Sequence, residues 1–225
     1  MDTPARILTI ALGILFTQYA RAVQPTHNFS DRSVAQLLQL LEDKDATVRH
    51  CAAIFIGDRY RNPRAIVVNG PMPEPNRPAP ELPVPAQLVP RLAECLKSDP
   101  DLGVRMCVVS ALRDLRFRTN TTPILLTGLD DANMIIRIRT CTALIDIARD
   151  YAEPLHTNVV ATLIGCLDPN REVEEIWQAA YSAEQLGTNG AAVTPALRTL
   201  TTHDSPKMRH YATRALSRIE PKTKK

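Results

Sequence analysis

The chain has 225 residues, 44% of them apolar, 23% charged and only 4% aromatic, with a formal net charge of +3. Those proportions exclude wholesale disorder, and the charge is too small to point to nucleic acid by itself. The apolar content is mostly Ala, Leu, Ile and Val, whose small or straight side chains let helices approach and interlock.

The N-terminus reads differently from the rest. Arg6 precedes an apolar run from Ile7 to Phe16, and a more polar stretch then ends in Ala20-Arg21-Ala22. A charged start, a short apolar segment and an A-x-A site are the marks of a signal peptide, here residues 1–22, with the mature chain beginning at Val23. A run of this length spans about 15 Å as a helix, half a bilayer core, so no stable membrane anchor is expected. No Cys follows the run to take a lipid. An amphipathic helix capping the rest of the fold is the alternative reading. The expected location is periplasmic or secreted.

From residue 31 onward the chain repeats itself. The first unit, about 31–60, has leucines at helical spacing (Leu37, Leu38, Leu41), acids at Asp43 and Asp45, then Val48-Arg49 and Ala52-Ala53. An excess of about 20 residues over one period follows: Arg49 to Arg105 is 56, against 32 from Arg105 to Arg137. This insertion, 61–85, carries seven prolines between Pro71 and Pro85. Such a stretch cannot be helical and favours extended, solvated backbone. It reads either as a strap lying across the fold or as a recognition loop, in which Ala65-Ile66-Val67-Val68 is an apolar patch able to dock or to add as a strand.

Three further units share one pattern: Pro-x-Leu, an acidic turn, an apolar residue followed by Arg, then Ala-Leu. In the unit at about 86–118 these are Pro90 to Leu92, Asp99 to Asp101, Val104-Arg105 and Ala111-Leu112. In the unit at about 120–150 they are Pro123 to Leu125, Asp130-Asp131, Ile136-Arg137 and Ala143-Leu144. In the last, about 190–219, they are Pro195 to Leu197, Asp204, Met208-Arg209 and Ala215-Leu216. Between the last two lies a looser unit, about 154–187, with Leu163, Leu167, Asp168-Pro169 and Ile176, but Trp177 where Arg would stand. Each unit predicts two amphipathic helices joined by a tight turn. Pro near the start of the first helix is tolerated, because first-turn N–H groups lack intrahelical acceptors. A turn Asp suits the N-cap of the second helix, and the repeat Arg is placed to reach turn carboxylates or carbonyls and tie units together. A lone unit cannot bury its stripe, whereas stacked neighbours do.

In that order, Pro-x-Leu, Leu, Asp, Val-Arg and Ala-Leu resemble HEAT repeats in their short bacterial, PBS-lyase-like form, over roughly residues 31–219 less the insertion. The period is shorter than the 40–47 of long HEAT repeats. The resemblance implies an all-α, right-handed α-solenoid of about five helix pairs in residues 23–225, and a binding scaffold of unspecified ligand.

Nothing in the sequence has the spacing of a catalytic or metal site. His27, His50, His156, His203 and His210 fall in no metal-ligand motif, and neither a Gly-rich phosphate loop nor Gly-x-Ser-x-Gly occurs. Iron-binding HEAT-like enzymes carry His-Glu dyads, and this chain has none. Cys51, Cys95, Cys107, Cys141 and Cys166 read first as small buried hydrophobes. In an oxidising compartment Cys95 with Cys107, and Cys141 with Cys166, are placed to pair, and the sequence leaves both open. Charge is uneven: Arg149 to Glu184 holds seven acids and two bases, and Arg198 to the end eight bases and two acids. The basic end reads first as a solvated terminus.

The expected function is therefore that of a non-catalytic exported scaffold, without cofactor or metal, holding a protein partner on its concave helix face and proline-rich loop. Candidate contact residues are Ile66, Val67, Val68, Trp177, Arg113 and Arg116. Trp177 reads first as inter-repeat packing, and as a binding hot spot if exposed. The alternatives are a lyase-like enzyme or accessory, and a cytosolic nucleic-acid binder if the signal peptide is not one.

Overall fold

The computed structural model describes residues 29–61, 83–151 and 154–221. The expected signal peptide and the patch Ile66, Val67 and Val68 lie outside the described residues.

The described residues form ten α-helices and no strand, arranged as five consecutive pairs. The pairs are α1 (Val34–Leu40) with α2 (Ala46–Tyr60), α3 (Leu88–Ser98) with α4 (Leu102–Leu115), and α5 (Thr122–Thr127) with α6 (Met134–Tyr151). They continue as α7 (Thr157–Cys166) with α8 (Val173–Glu184) and α9 (Thr194–Leu200) with α10 (Pro206–Ile219). Short 3₁₀ turns, Gly128–Asp130 and Gly187–Val193, extend α5 and lead into α9. The second helices stack directly on one another, α2 on α4, α4 on α6, α6 on α8 and α8 on α10, whereas the first helices meet one another only sparsely. The array is an α-solenoid whose inner layer is the second helices. Among the described residues, no helix is long and apolar enough to cross a membrane.

The leucine stripes do what their spacing requires. Leu37 and Leu41, then Leu88, Leu92 and Leu96, are fully buried, as are Leu125, Leu163 and Leu197 of the later first helices. Burying one such side chain contributes roughly 2 kcal/mol, which only stacking provides here. Gly57 lets α2 and α4 approach closely, since a Cβ there would lie 3.2 Å from Ala111 Cα.

Four of the five turns obey one rule. The residue six before the repeat Arg accepts a hydrogen bond from the backbone N–H two residues on: Asp43 from Asp45 (2.8 Å), Asp99 from Asp101 (2.9 Å), Asp131 from Asn133 (2.7 Å). In the last pair His203 Nδ1 takes this place, accepting from Ser205 (3.0 Å). The residue so positioned then heads the second helix. Asp45 and Asp101 cap α2 and α4 through their carboxylates, as expected, but Asn133 rather than a turn Asp caps α6. Ser205 makes no side-chain cap, and Pro206 opens α10 instead.

The repeat arginines bind their own turn with one nitrogen and the next turn with the others. Arg49 Nη1 donates to the carbonyls of Asp43 (2.9 Å) and Lys44 (3.2 Å). Its Nε and Nη2 grip both oxygens of Asp99 at 2.7 and 2.9 Å. Arg105 repeats this with the Asp99 carbonyl (2.8 Å) and the Asp131 carboxylate (3.2 and 3.4 Å). Arg137 and Arg209 hold their own turn carbonyls, Asp131 and Ala132, and His203 and Asp204.

Burial of Asp99 pushes its carboxyl up, but the Arg49 fork, the Asp101 N–H and Arg105 together hold it below the ordinary carboxylate range. A depressed folded pKa stabilises above the unfolded value of about 3.9 and ceases to do so as pH falls through the folded value. With side chains only 12% and 5% exposed, Arg49 and Asp99 form a pair whose breakage leaves a desolvated charge. We expect Asp99→Asn to lower stability by roughly 3 kcal/mol at pH 7. The gap to wild type should hold above about pH 4 and narrow as pH falls through the depressed pKa of Asp99. Urea unfolding at pH 7, 5 and 3 checks both, and a gap independent of pH would refute the assignment.

Candidate functional site: the inner helix face

The half-buried residues of the inner layer follow the repeat register. One and five residues past the repeat Arg stand His50 and Ile54 on α2, then Met106 and Ser110 on α4. Thr142 on α6 and Ser182 on α8 are the fifth-position residues of their units, and their hydroxyls meet at 2.8 Å. Nine residues past Arg49, Arg105 and Arg137 stand Asp58, Asp114 and Asp146. Around them runs a second set of ion pairs: Arg61 to Asp58 and Asp114 (both 3.1 Å), Arg113 to Asp114 (3.3 Å) and Asp146 (3.9 Å), Arg149 to Asp146 (2.6 Å). At the end of α8, Glu184 accepts from Arg214 Nε on α10 at 2.6 Å.

Arg113 and Arg116 therefore sit within this row. Arg116 Nη2 lies 2.6 Å from Asp150, its Nη1 donates to the Arg113 carbonyl at 2.7 Å, and its guanidinium covers the Phe117 ring at 4.0 Å. Among the described residues, Phe117, 38% exposed, is one of two large apolar side chains left open, the other being Ile164 on α7. Trp177 is half-buried between α8 and α10. Its ring packs 5.2 Å from that of Tyr211, Lys207 Nζ stands 4.6 Å over its face, and Lys207 bridges to Glu174 at 2.8 Å. The tryptophan that replaces the repeat Arg thus ties its unit to the next by an aromatic–cation stack.

Sequence reading does not pair His50 with Cys107. Their Nε2 and Sγ atoms lie 3.5 Å apart across the α2–α4 interface. The signal was available: they stand one and two residues after the repeat Arg of adjacent units. Burial pushes the Cys107 thiol up to about 12, with Arg139 opposing, and burial pushes the His50 imidazole down, with Asp101 opposing. A protonated thiol beside a neutral imidazole is not the thiolate pair that nucleophilic catalysis requires. Among the described residues no group of His, Cys, Asp and Glu has metal-binding geometry. Shallow open grooves among the described residues lie along α10 beside His210 and Thr213 and between Leu155 and Asn189.

The described fold and face define a helical-repeat protein with a polar inner surface. No protein-family model matches the sequence, and no curated protein does either. Among solved structures, the complex of CpcE and CpcF of phycocyanin lyase from Nostoc sp. PCC7120 is similar, with a TM-score of 0.56 at 16% identity, over 88% of this chain and 69% of that one. An engineered protein matches at a TM-score of 0.45 and 16% identity, over 83% of this chain and 47% of its own. The first likeness shows the fold, a helical-repeat solenoid.

All five cysteines are buried free thiols, so neither pairing left open by the sequence is formed. Burial raises the pKa of each. Ellman's reagent should therefore leave all five unreacted in the folded protein and titrate all five in denaturant without reductant. Fewer than five on denaturation would show a disulfide.

Proposed function

We propose that the chain is a non-catalytic scaffold that seats a protein partner on its inner helix face. The observation that carries this reading is the face itself. Over consecutive pairs it presents half-buried apolar and polar side chains, among them Ile54, Met106, Ser110 and Thr142, in a fixed register. Solenoids use such extended surfaces for binding. The proline-rich insertion begins where α2 ends, so residues 61–85 are available to extend the contact. Support also comes from the fold neighbour, whose two proteins form a complex. The inner-face arginines are largely neutralised within the layer, which favours a protein over nucleic acid.

Export rests on the N-terminal pattern of Arg6, Ile7 to Phe16 and Ala20-Arg21-Ala22, and with it a periplasmic or secreted location. A lyase-like accessory role is the second reading, favoured by likeness to a phycocyanin lyase complex; the His50–Cys107 contact is the place where a thiol could have served it. The protonated state of that thiol weighs against the protein itself acting as nucleophile.

A photo-cross-linking amino acid at Met106, on the inner face, and another at Glu94, exposed on first helix α3, test the reading in the native host. We expect one stoichiometric protein from position 106, none from 94, and a first peptide beginning at Val23. Cross-links from 94 alone, or from neither, overturn the inner-face reading. A chain beginning at Met1 among cytosolic proteins overturns export.

A further inference from the structure

We infer that Arg139 is the recognition anchor of the inner face, receiving a carboxylate side chain of the seated protein partner with Arg113 beside it. This rests on the proposal that the face holds a protein, and it names the chemistry of the contact.

Among the described residues, every other arginine of the second helices has an oxygen to bind. Arg49, Arg105, Arg113, Arg149, Arg214 and Arg218 have carboxylates within 4 Å. Arg59, Arg137 and Arg209 have backbone carbonyls. Arg139 has neither an ion pair nor a hydrogen bond, and its Nε is sealed from solvent without a partner. The charged side chain that acts on it is another cation: burial first, and Arg113 in addition, push its pKa down, with only the Cys107 thiol opposing. A half-buried cation without a counter-charge destabilises the fold.

The repeat register shows that the fold does not ask for a cation there. Two residues past the repeat position, α2, α4 and α8 hold Cys51, Cys107 and Ala179, all small and buried, and α10 holds the uncharged, half-buried Tyr211. On α6 the same position carries a long cation. A residue that breaks a local rule without compensation inside the protein marks a functional place.

Charge counting selects the ligand. The ion-pair row beside Arg139 is balanced, Arg61, Arg113, Arg116 and Arg149 against Asp58, Asp114, Asp146 and Asp150, so Arg139, which acts on Arg113 without a pair of its own, adds one uncompensated positive charge. The surplus is one, which a single carboxylate cancels and a doubly charged phosphate overshoots. The guanidinium fork fits a carboxylate in two parallel hydrogen bonds, and partial burial strengthens them.

The test is a titration of the full chain at low salt, following the Arg139 Nε–H resonance, assigned by its loss in Arg139→Gln. The probes are the capped tripeptide acetyl-Ala-Glu-Ala-amide, its glutamine counterpart and inorganic phosphate. We expect a saturable shift with the glutamate peptide and none with the glutamine one. Arg139→Gln should weaken peptide binding by at least about tenfold, and Arg139→Lys by less, since charge remains while the fork is lost. Arg139→Gln should unfold no more easily than wild type, which a structural role would not allow. No saturable shift, undiminished peptide binding by Arg139→Gln, or phosphate saturating before the peptide each overturns the inference. Cross-linking from position 106 separates the two claims. A partner captured equally by wild type and Arg139→Gln leaves the scaffold standing and removes the anchor. No partner captured from either removes the scaffold, while the titration still decides the anion seat.

Discussion

The structure depends on a guanidinium shared between consecutive turns. Arg49 closes its own turn through the carbonyls of Asp43 and Lys44 and reaches forward to Asp99, and Arg105 does the same toward Asp131. The receiving aspartate is itself fixed, because it already accepts the N–H two residues on. Turn geometry and unit-to-unit registry thus meet in one carboxylate, which also places the residue that caps the second helix. A planar donor with five N–H groups can satisfy two turns at once; a lysine, with a point charge, would hold only one.

Where this tie stops, the sequence changes on both sides of it. Six residues before Trp177 stands Arg171, where earlier units have a carboxylate, and Arg137 accordingly finds no acid ahead and approaches the Cys166 thiol instead. The fourth unit is then joined to the fifth by Trp177, Tyr211 and Lys207. Two chemistries, a bidentate ion pair and an aromatic–cation stack, occupy the same place in the register and perform the same joining.

Much of this was legible in the residues. Pro-x-Leu, the acidic turn and the Arg six residues before Ala-Leu reveal the helix pairs, because burial of a stripe and satisfaction of a turn are local demands that leave local marks. The forward reach of Arg49 was readable as a tie between units. Asn133 was not readable as the cap of α6, since a turn containing Asp130, Asp131 and Asn133 offers several acceptors and only backbone geometry chooses among them. Nor was the isolation of Arg139: its offset from the repeat Arg matches that of Cys51 and Cys107, but a basic residue on an amphipathic helix reads as solvated, and only the structure shows that no oxygen reaches it. Arg113 and Arg116, singled out as contacts, proved to have carboxylate partners supplied from helices far away in sequence.

The junction at the end of α2 has a different kind of consequence. The buried Tyr60 hydroxyl donates to the Pro83 carbonyl at 3.1 Å, and Val84 packs on the core just beyond. The two ends of the proline-rich insertion are therefore clamped to the same helix, whatever lies between them. Closing a longer excursion between fixed ends adds only about 0.6 kcal/mol per doubling of its length. The clamp turns this joint into a socket, where segments of other lengths and compositions can be exchanged while the solenoid on either side keeps its registry.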